Sequence, residues 1–519
     1  MGIDYLSPSD RQKVIQEILG SEENLMRKEA SLMALEVYKG RQRPFILKKL
    51  ASEMGKDSVV SGRTLTSINL TKKIIKEKSS LYRNTPDREF TGVSQEQLEH
   101  IEMLYAMSSA NVKLKKSNEI YKLQDQALLQ CVLKDGNLEL RPLYPHHFDV
   151  IPQDENPEKM DAVIISSFDK SRLFSGLGHS NGNQNPGQRV SYFSDMNNQK
   201  IADPDDYRGR ALFYWWTKDF NFITNSKGQM VDKFGVMISQ SVTDPSDPLV
   251  ASPIVGTMPF IDVATDKDFE FYVRSGLSST VFSIDLGTLL SDTSEISRMQ
   301  GWSQAIISSV EQPKDLTIGP RRALWLKLNP NDTEATRPSF QFASPTPDLG
   351  ASLQLIENFL SLFLTSEGLS PSVVNSMGKT DGATSGLDRW LKMIEKFEAS
   401  QDDVELYTKV ETDLFEIVKA WNNTFANVTE GGFRADLAGK LIPEDAKLSI
   451  KFHKPEMLTS EEEKLNLIQK KLDMGLISQI EAIEMDRGVG RERALELMAE
   501  ISSSELGEVE IQDAKTEQV

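Results

Sequence analysis

The sequence predicts a predominantly helical α+β protein, and three observations predict it. Two helices with matching heptad spacing bracket a short β-rich insert. A long apolar stripe runs without Pro or Gly from Leu387 to about Trp421. Strand-like runs cluster between Ala127 and Ser166.

Residues 1–90 read as helices. Ser21 precedes a run through Leu25, Leu32 and Leu35 to Tyr38 that stops at Gly40, and a second helix from Pro44 to Met54 stops at Gly55. A third is expected from about Leu65 to Tyr82, ahead of Thr85-Pro86, and one long helix from Ser94 to about Ser117. Strand character then takes over at Ala127–Leu133, Leu138–Leu143, Phe148–Ile151 and Ala162–Ser166. Asp135-Gly136 between the first two runs is a hairpin signal, because a tight turn there needs two residues that accept positive φ. Residues 175–188 are a low-complexity loop, expected to be poorly ordered. Strands resume at Val190–Phe193 and Arg210–Trp216, and Phe220–Thr224 with Met230-Val231 forms a further hairpin. Four prolines make Ser241–Pro259 loop-like.

The first bracketing helix carries Phe282, Leu286, Leu289, Thr293 and Ile296 at alternating steps of four and three, and ends at Gly301. The second repeats the spacing with Leu349, Leu353, Ile356, Leu360 and Phe363, after the start signal Thr346-Pro347-Asp348. Such spacing keeps one apolar seam against a neighbouring helix, so Leu286, Leu289, Leu353, Ile356 and Leu360 are the candidate packing residues. Beside that seam, Asp285, Thr288, Asp292 and Glu295 share one stripe at about 100° per residue. Short strands are expected at Ala305–Val310, Ala323–Leu328 and Ser339–Phe342, separated by prolines and glycines.

After Gly368, the segment Asn375-Ser-Met-Gly-Lys-Thr-Asp-Gly-Ala-Thr-Ser-Gly386 is too polar and glycine-rich to pack as core. The stripe that follows (Trp390, Leu391, Ile394, Phe397, Val404, Tyr407, Val410, Leu414, Ile417, Trp421) implies a helix about 50 Å long. Ser460 with Glu463 and Ser478 with Glu481 are capping-box patterns that start two C-terminal helices, the first stopping at Gly475, and a third follows Gly490.

Composition bounds the function. The chain has 519 residues and 39% hydrophobic residues, enough for several domains with a sizeable core. No apolar run reaches the ~18 residues that span a bilayer, and the first residues lack the basic and apolar regions of a secretory signal. The one cysteine, Cys131, lies among Leu128, Leu129 and Val132, which predicts a buried thiol and a reducing cytoplasm as the site of synthesis. A net charge of −18 argues against a protein that grips nucleic acid through many phosphate contacts. Charge is uneven: residues 1–90 hold 17 Lys/Arg against 12 Asp/Glu, and residues 455–519 hold 7 against 16.

Catalytic constellations fail on inspection. Gly378-Lys379-Thr380 resembles the end of a phosphate-binding loop, but Val373 stands where that loop needs glycine, and no strand leads in. Gly176 and Gly178 lack the third glycine of a dinucleotide fingerprint. His146-His147 with Asp149 has no further histidine at ligand spacing, and the acidic group Asp203, Asp205 and Asp206 beside Pro204 suits a loop. The sequence therefore proposes no catalytic residue, no metal site and no cofactor.

The order of helix, small β insert, helix, polar loop and long helix resembles the portal proteins of tailed bacteriophages, of the siphophage-like kind. Two further stretches carry the resemblance. "LQDQALLQCVLKDGNLELRPLYPHHFDVIP" (Leu123–Pro152) is similar to the portal wing, and "EEEKLNLIQKKLDMGLISQIEAIE" is similar to the helices on the crown side. The resemblance implies a wing over 1–276 (helices, then a β-rich part), a first stem helix over 277–301 and a small α/β clip over 302–345. It further implies a second stem helix over 346–367, a tunnel-loop region over 368–386, a long wing helix returning to the wing over 387–454, a helical crown over 455–502 and a disordered acidic tail over 503–519.

It also implies a non-enzymatic subunit of a twelve-copy ring at one capsid vertex, the channel through which double-stranded DNA is packaged and ejected. Expected partners are further copies of the chain, the terminase large subunit, a head–tail adaptor, and the major capsid and scaffolding proteins, with no membrane. Location would be the virion, and the host cytoplasm during assembly. On this reading Asn375, Ser376, Gly378, Lys379, Thr380, Asp381 and Gly382 face DNA in the tunnel. Asp285, Thr288, Asp292 and Glu295 form an acidic channel stripe. Lys314, Arg321, Arg322 and Lys327 make the clip a basic docking edge. A non-viral coiled-coil hairpin scaffold and an enzyme of unknown type are the alternatives; a ring of copies or a monomer with turnover separates them.

Overall fold

A computed structural model describes residues 5, 7–54, 65–166, 212–218, 221–231, 256–300, 304–309, 324–327, 339–343, 349–369, 386–428, 432–452, 461–475, 477–487, 494–495 and 497–499. Within them the chain is α+β and mainly helical. Two compact units are distinguished, one formed by 1–371 with 398–453, the other by 372–397 with 454–519.

The first unit opens with helices α1 (Pro8–Gly20), α2 (Glu22–Tyr38), α3 (Arg43–Met54) and α4 (Leu70–Lys78). Ser21 caps α2 by accepting a hydrogen bond from the Asn24 amide, and Gly40 follows its end at φ 85°. The helix expected over 65–82 is shorter than its apolar pattern, because the backbone at Thr66 is bonded to Ser291 rather than to its own helix. The long helix expected from Ser94 is two, α5 (Gln95–Met107) and α6 (Ala110–Gln124). Ser109 between them takes a left-handed conformation (φ 52°), and the Ser108 hydroxyl donates back to the Tyr105 carbonyl.

Strands β2 (Ala127–Lys134) and β3 (Asn137–Leu143) form the expected antiparallel hairpin, with Asp135 and Gly136 both at positive φ. Strand β8 (Phe260–Val263) pairs with the other edge of β2. A second antiparallel sheet runs in the order β4 (Phe148–Pro152), β5 (Met160–Ser166), β6 (Phe213–Thr217), β7 (Asn221–Thr224). Leu128 and Phe260 of the first sheet share one apolar cluster with Phe148, Val150 and Val163 of the second. On the second sheet, Val14, Ile15 and Ile18 of α1 bury against Ile164, Phe213, Trp215 and Phe222.

Helix α9 (Gly386–Phe425) extends a few residues beyond the expected stripe at its C-terminal end, a length of about 60 Å. Its Tyr407, Val410, Leu414, Phe415, Ile417 and Trp421 enter the main core with α5, α6, β2 and β3. The Trp421 indole donates to the Cys131 carbonyl over 2.9 Å. Two strands not anticipated from sequence, β1 (Asp87–Thr91) and β12 (Lys447–Lys451), pair antiparallel and turn Phe90, Leu448 and Ile450 toward this core.

In the second unit, α10 (Glu461–Asp473) ends at Gly475 (φ 65°), and α11 (Gln479–Arg487) starts on the expected capping box. Glu481 accepts from the Ser478 amide over 2.7 Å while Ser478 accepts from the Glu481 amide over 3.3 Å. Residues 167–211, 232–255 and 500–519 fall outside the described residues, and with them the low-complexity loop, the strand expected at Val190–Phe193, the acidic group at 203–206 and the tail.

Candidate functional site

The two bracketing helices are α7 (Ser278–Gln300) and α8 (Leu349–Ser366). Between them, β9 (Gln304–Ser309) is the central strand of a three-stranded sheet, with β10 (Leu324–Lys327) parallel on one edge and β11 (Ser339–Ala343) antiparallel on the other.

The apolar seam of α7 meets that of α8. Leu286 and Ile356 are buried, Leu289 and Leu360 half-buried, and Phe282 stacks on Phe363 at 3.9 Å between ring centroids. Leu353, the fifth expected packing residue, stands outside this contact and is 52% exposed.

A second face of α7 was not read from the sequence. Ser279, Ser283, Gly287 and Ser291 recur every four residues, and their small side chains admit neighbouring backbone. The Ser283 hydroxyl accepts from the Thr71 amide over 3.1 Å, and the Thr71 hydroxyl donates to the Ser279 carbonyl over 2.9 Å. The Ser291 hydroxyl accepts from the Thr66 amide over 3.0 Å. At Gly287 an added Cβ would overlap the Ile46 side chain of α3. The four-residue spacing of small residues was the available signal; an apolar-only pattern search passes over it.

That face decides the fate of the expected acidic stripe, which is corrected here. Thr288 and Glu295 are buried, and Asp292 is half-buried. Asp285 is paired with Lys49 of α3 over 2.5 Å. A helical wheel of α7 alone cannot show that α3 and the 65–71 segment occupy the adjoining sector, so the four residues do not form one open row.

The root of the hairpin is held by Glu367, just past α8. One carboxylate oxygen accepts from the Ser278 hydroxyl over 2.6 Å, the other from the Lys78 ammonium over 2.8 Å. Leu277, immediately before α7, takes a left-handed conformation (φ 47°) that a branched side chain rarely adopts. Packing against Ala34, Tyr38, Ile75 and Leu123 holds it there.

The residues expected to face DNA, Asn375, Ser376, Gly378, Lys379, Thr380, Asp381 and Gly382, lie outside the described residues, as do Lys314, Arg321 and Arg322 of the insert. Lys327 is the last residue of β10, its backbone opposite Ser309.

The histidine group set aside in the sequence is a buried polar junction. His146 Nδ1 bonds the Ser31 hydroxyl at 2.8 Å, whereas Asp149 takes Lys28 at 2.6 Å and Arg27 at 2.8 Å. Arg27 also lies 3.9 Å over the Tyr272 ring. Burial lowers the pKa of the Lys28 ammonium, and Asp149 opposes that shift. The junction ties α2 to the start of β4. Among the described residues no group of His, Cys, Asp and Glu is arranged to hold a metal ion. Burial pushes the Cys131 thiol up to about 12, which leaves it protonated and unreactive at neutral pH. No described helix is long and apolar enough to cross a membrane.

No protein-family model matches the chain, and no curated protein matches it.

Proposed function

We propose that this chain is the ring-forming subunit of a tailed-bacteriophage portal, a structural conduit for double-stranded DNA at one capsid vertex. The observation that carries the reading is the order α7, three-stranded insert, α8 and then the 40-residue α9. That order is the stem, clip, stem and long wing helix of the family the sequence resembles. The small-residue face of α7 anchors the hairpin to the helical part of the first unit, and the insert closes its far end.

On this reading the ring docks the terminase motor and later the head–tail adaptor through the insert, and the energy of DNA movement comes from the motor. An acidic subunit suits a conduit, since dense phosphate contacts would resist sliding. Capsid and scaffolding proteins would surround the ring during assembly.

Native mass spectrometry and negative-stain imaging of the purified chain test the proposal. A closed ring of roughly a dozen copies around a central hole is expected, since head-to-tail contacts that close generate rings. A chain that stays monomeric at every concentration, or dimerises without a hole, overturns it.

A further inference from the structure

The turn Pro145–His147 buries His146 against α2, and the hydrogen bonds around it fix where its proton lies. The Gln124 side chain of α6 donates through Nε2 to the Ser31 carbonyl of α2 over 2.9 Å, so its Oε1 faces the Ser31 hydroxyl. That hydroxyl therefore donates to Oε1 over 2.6 Å, and its oxygen accepts from His146 Nδ1 over 2.8 Å. His146 thus stands as the neutral Nδ1–H tautomer. The next proton it takes goes to Nε2, which is also buried.

The surroundings oppose that second proton. From α2, Arg27 donates to the Pro145 carbonyl, and Arg27 and Lys28 together occupy both carboxylate oxygens of Asp149, at 2.8 and 2.6 Å. From α6, Lys116 lies 5.8 Å from the centroid of the Tyr144 ring, which stacks on His146. Glu119 is already taken by Lys116 and by the Tyr38 hydroxyl. Within the turn, the His147 ring is 4.1 Å from that of His146, and its Nδ1 accepts from the Tyr144 amide over 3.4 Å. Arg27, Lys28 and Lys116 thus outnumber Asp149 and Glu119, and an imidazolium would add another buried cation. Burial already lowers the pKa of the Lys28 ammonium, so the site holds positive charge poorly.

We propose that this turn is an acid-released latch: protonation of His146 frees residues 144–149 from α2 and α6 and slackens the packing around Leu277 at the root of α7. The link to the root is Tyr144, which packs on the cluster of Ala34, Tyr38, Ile75, Leu123 and Leu277. The closed latch holds His146 neutral, whereas the open one exposes a histidine that titrates at about 6.5. Closure is therefore favoured above that pH and lost below it. When only the open form takes the proton, the opening constant grows about tenfold from pH 7.5 to 5.5. The latch operates within one copy of the chain and does not depend on ring formation.

Amide hydrogen exchange of the full chain, read by mass spectrometry at pH 7.5 and 5.5 and corrected for the chemical exchange rate, tests this. The reporters are the His147 amide, bonded to the Tyr144 carbonyl at 2.8 Å, and the Val150 amide, bonded to the Tyr272 hydroxyl at 2.6 Å. Opening of the 144–151 stretch should rise about tenfold at pH 5.5, while the 414–421 stretch of α9 stays unchanged. His146→Gln keeps a side-chain donor but takes no proton, so its response should be flat. His147→Gln should keep the rise. Lys28→Met removes a cation and leaves Arg27 on Asp149, and should reduce the rise.

Equal protection of the wild-type 144–151 stretch at both pH values overturns the latch, whether or not the variants fold. An equal rise in the 414–421 stretch also overturns it, since that is general acid unfolding. So does a rise that survives His146→Gln, or one lost only in His147→Gln.

Discussion

Arg88 of β1 meets Glu411 of α9 through two nitrogens, Nε at 2.8 Å from one carboxylate oxygen and Nη2 at 2.6 Å from the other. Glu411 is fully buried, and the Tyr82 hydroxyl donates to it over 3.0 Å. Burial and the neighbouring carboxylate hold the Tyr82 phenol protonated well above its usual range. This pair fastens a strand of the first hundred residues to the middle of the longest helix.

Removing one partner of such a pair leaves an uncompensated buried charge. Glu411→Ala should therefore destabilise the first unit by about 3–5 kcal/mol, and Arg88→Met/Glu411→Leu by much less. Urea denaturation of the single and double variants checks this; a double variant that loses the sum of the two single losses would mean the pair is not coupled.

Gly287 marks the closest approach of α7 to α3. A valine there would overpack against Ile46 and cost about 1–3 kcal/mol. Shortening the neighbour with Ile46→Ala in the same chain should recover part of that loss, although Ile46→Ala alone is destabilising. Thermal melts of the three variants give the coupling. Strictly additive effects would place the strain elsewhere.

Stability should rise with pH between about 8 and 9. Burial lowers the Lys48 ammonium of α3 to about 8, against the partial opposition of Glu29, so in this window the unfolded chain binds the extra proton. The slope reverses above about pH 9, because burial holds first the Cys131 thiol and then the Tyr38 and Tyr272 phenols protonated up to about 12 while the unfolded chain ionises. Lys48→Met should flatten the rising limb. Urea midpoints of both proteins at pH 7.5 and 9 decide it, and parallel profiles would remove Lys48 as the cause.

The polar segment between α8 and α9 is predicted to contact DNA rather than to build the ring. Its cation, Lys379, would make only a weak contact with passing phosphates at physiological salt, and its acid, Asp381, would repel them. Shortening Ser376–Ser385 should leave rings intact and lower the yield of stably filled heads. Failure to form rings would make the segment an assembly element instead.

What the sequence determined by itself is local. Asp135-Gly136, the Ser478–Glu481 box and the Gly40 and Gly475 stops are written in residues a few positions apart, because turn and cap bonds close over that distance. The heptad seams of α7 and α8 are legible for the same reason, since a helix face is set by period alone. Only the tertiary structure decided that β1 pairs with β12, whose partners Thr91 and Lys447 stand 356 residues apart. It also decided that Asp285 is taken by Lys49, and that within one heptad row of α8 Ile356 is buried while Leu353 stays exposed. Each of these depends on which third element occupies a sector of the helix or an edge of the strand. Periodicity shows that a face exists; packing across the whole chain selects its neighbour.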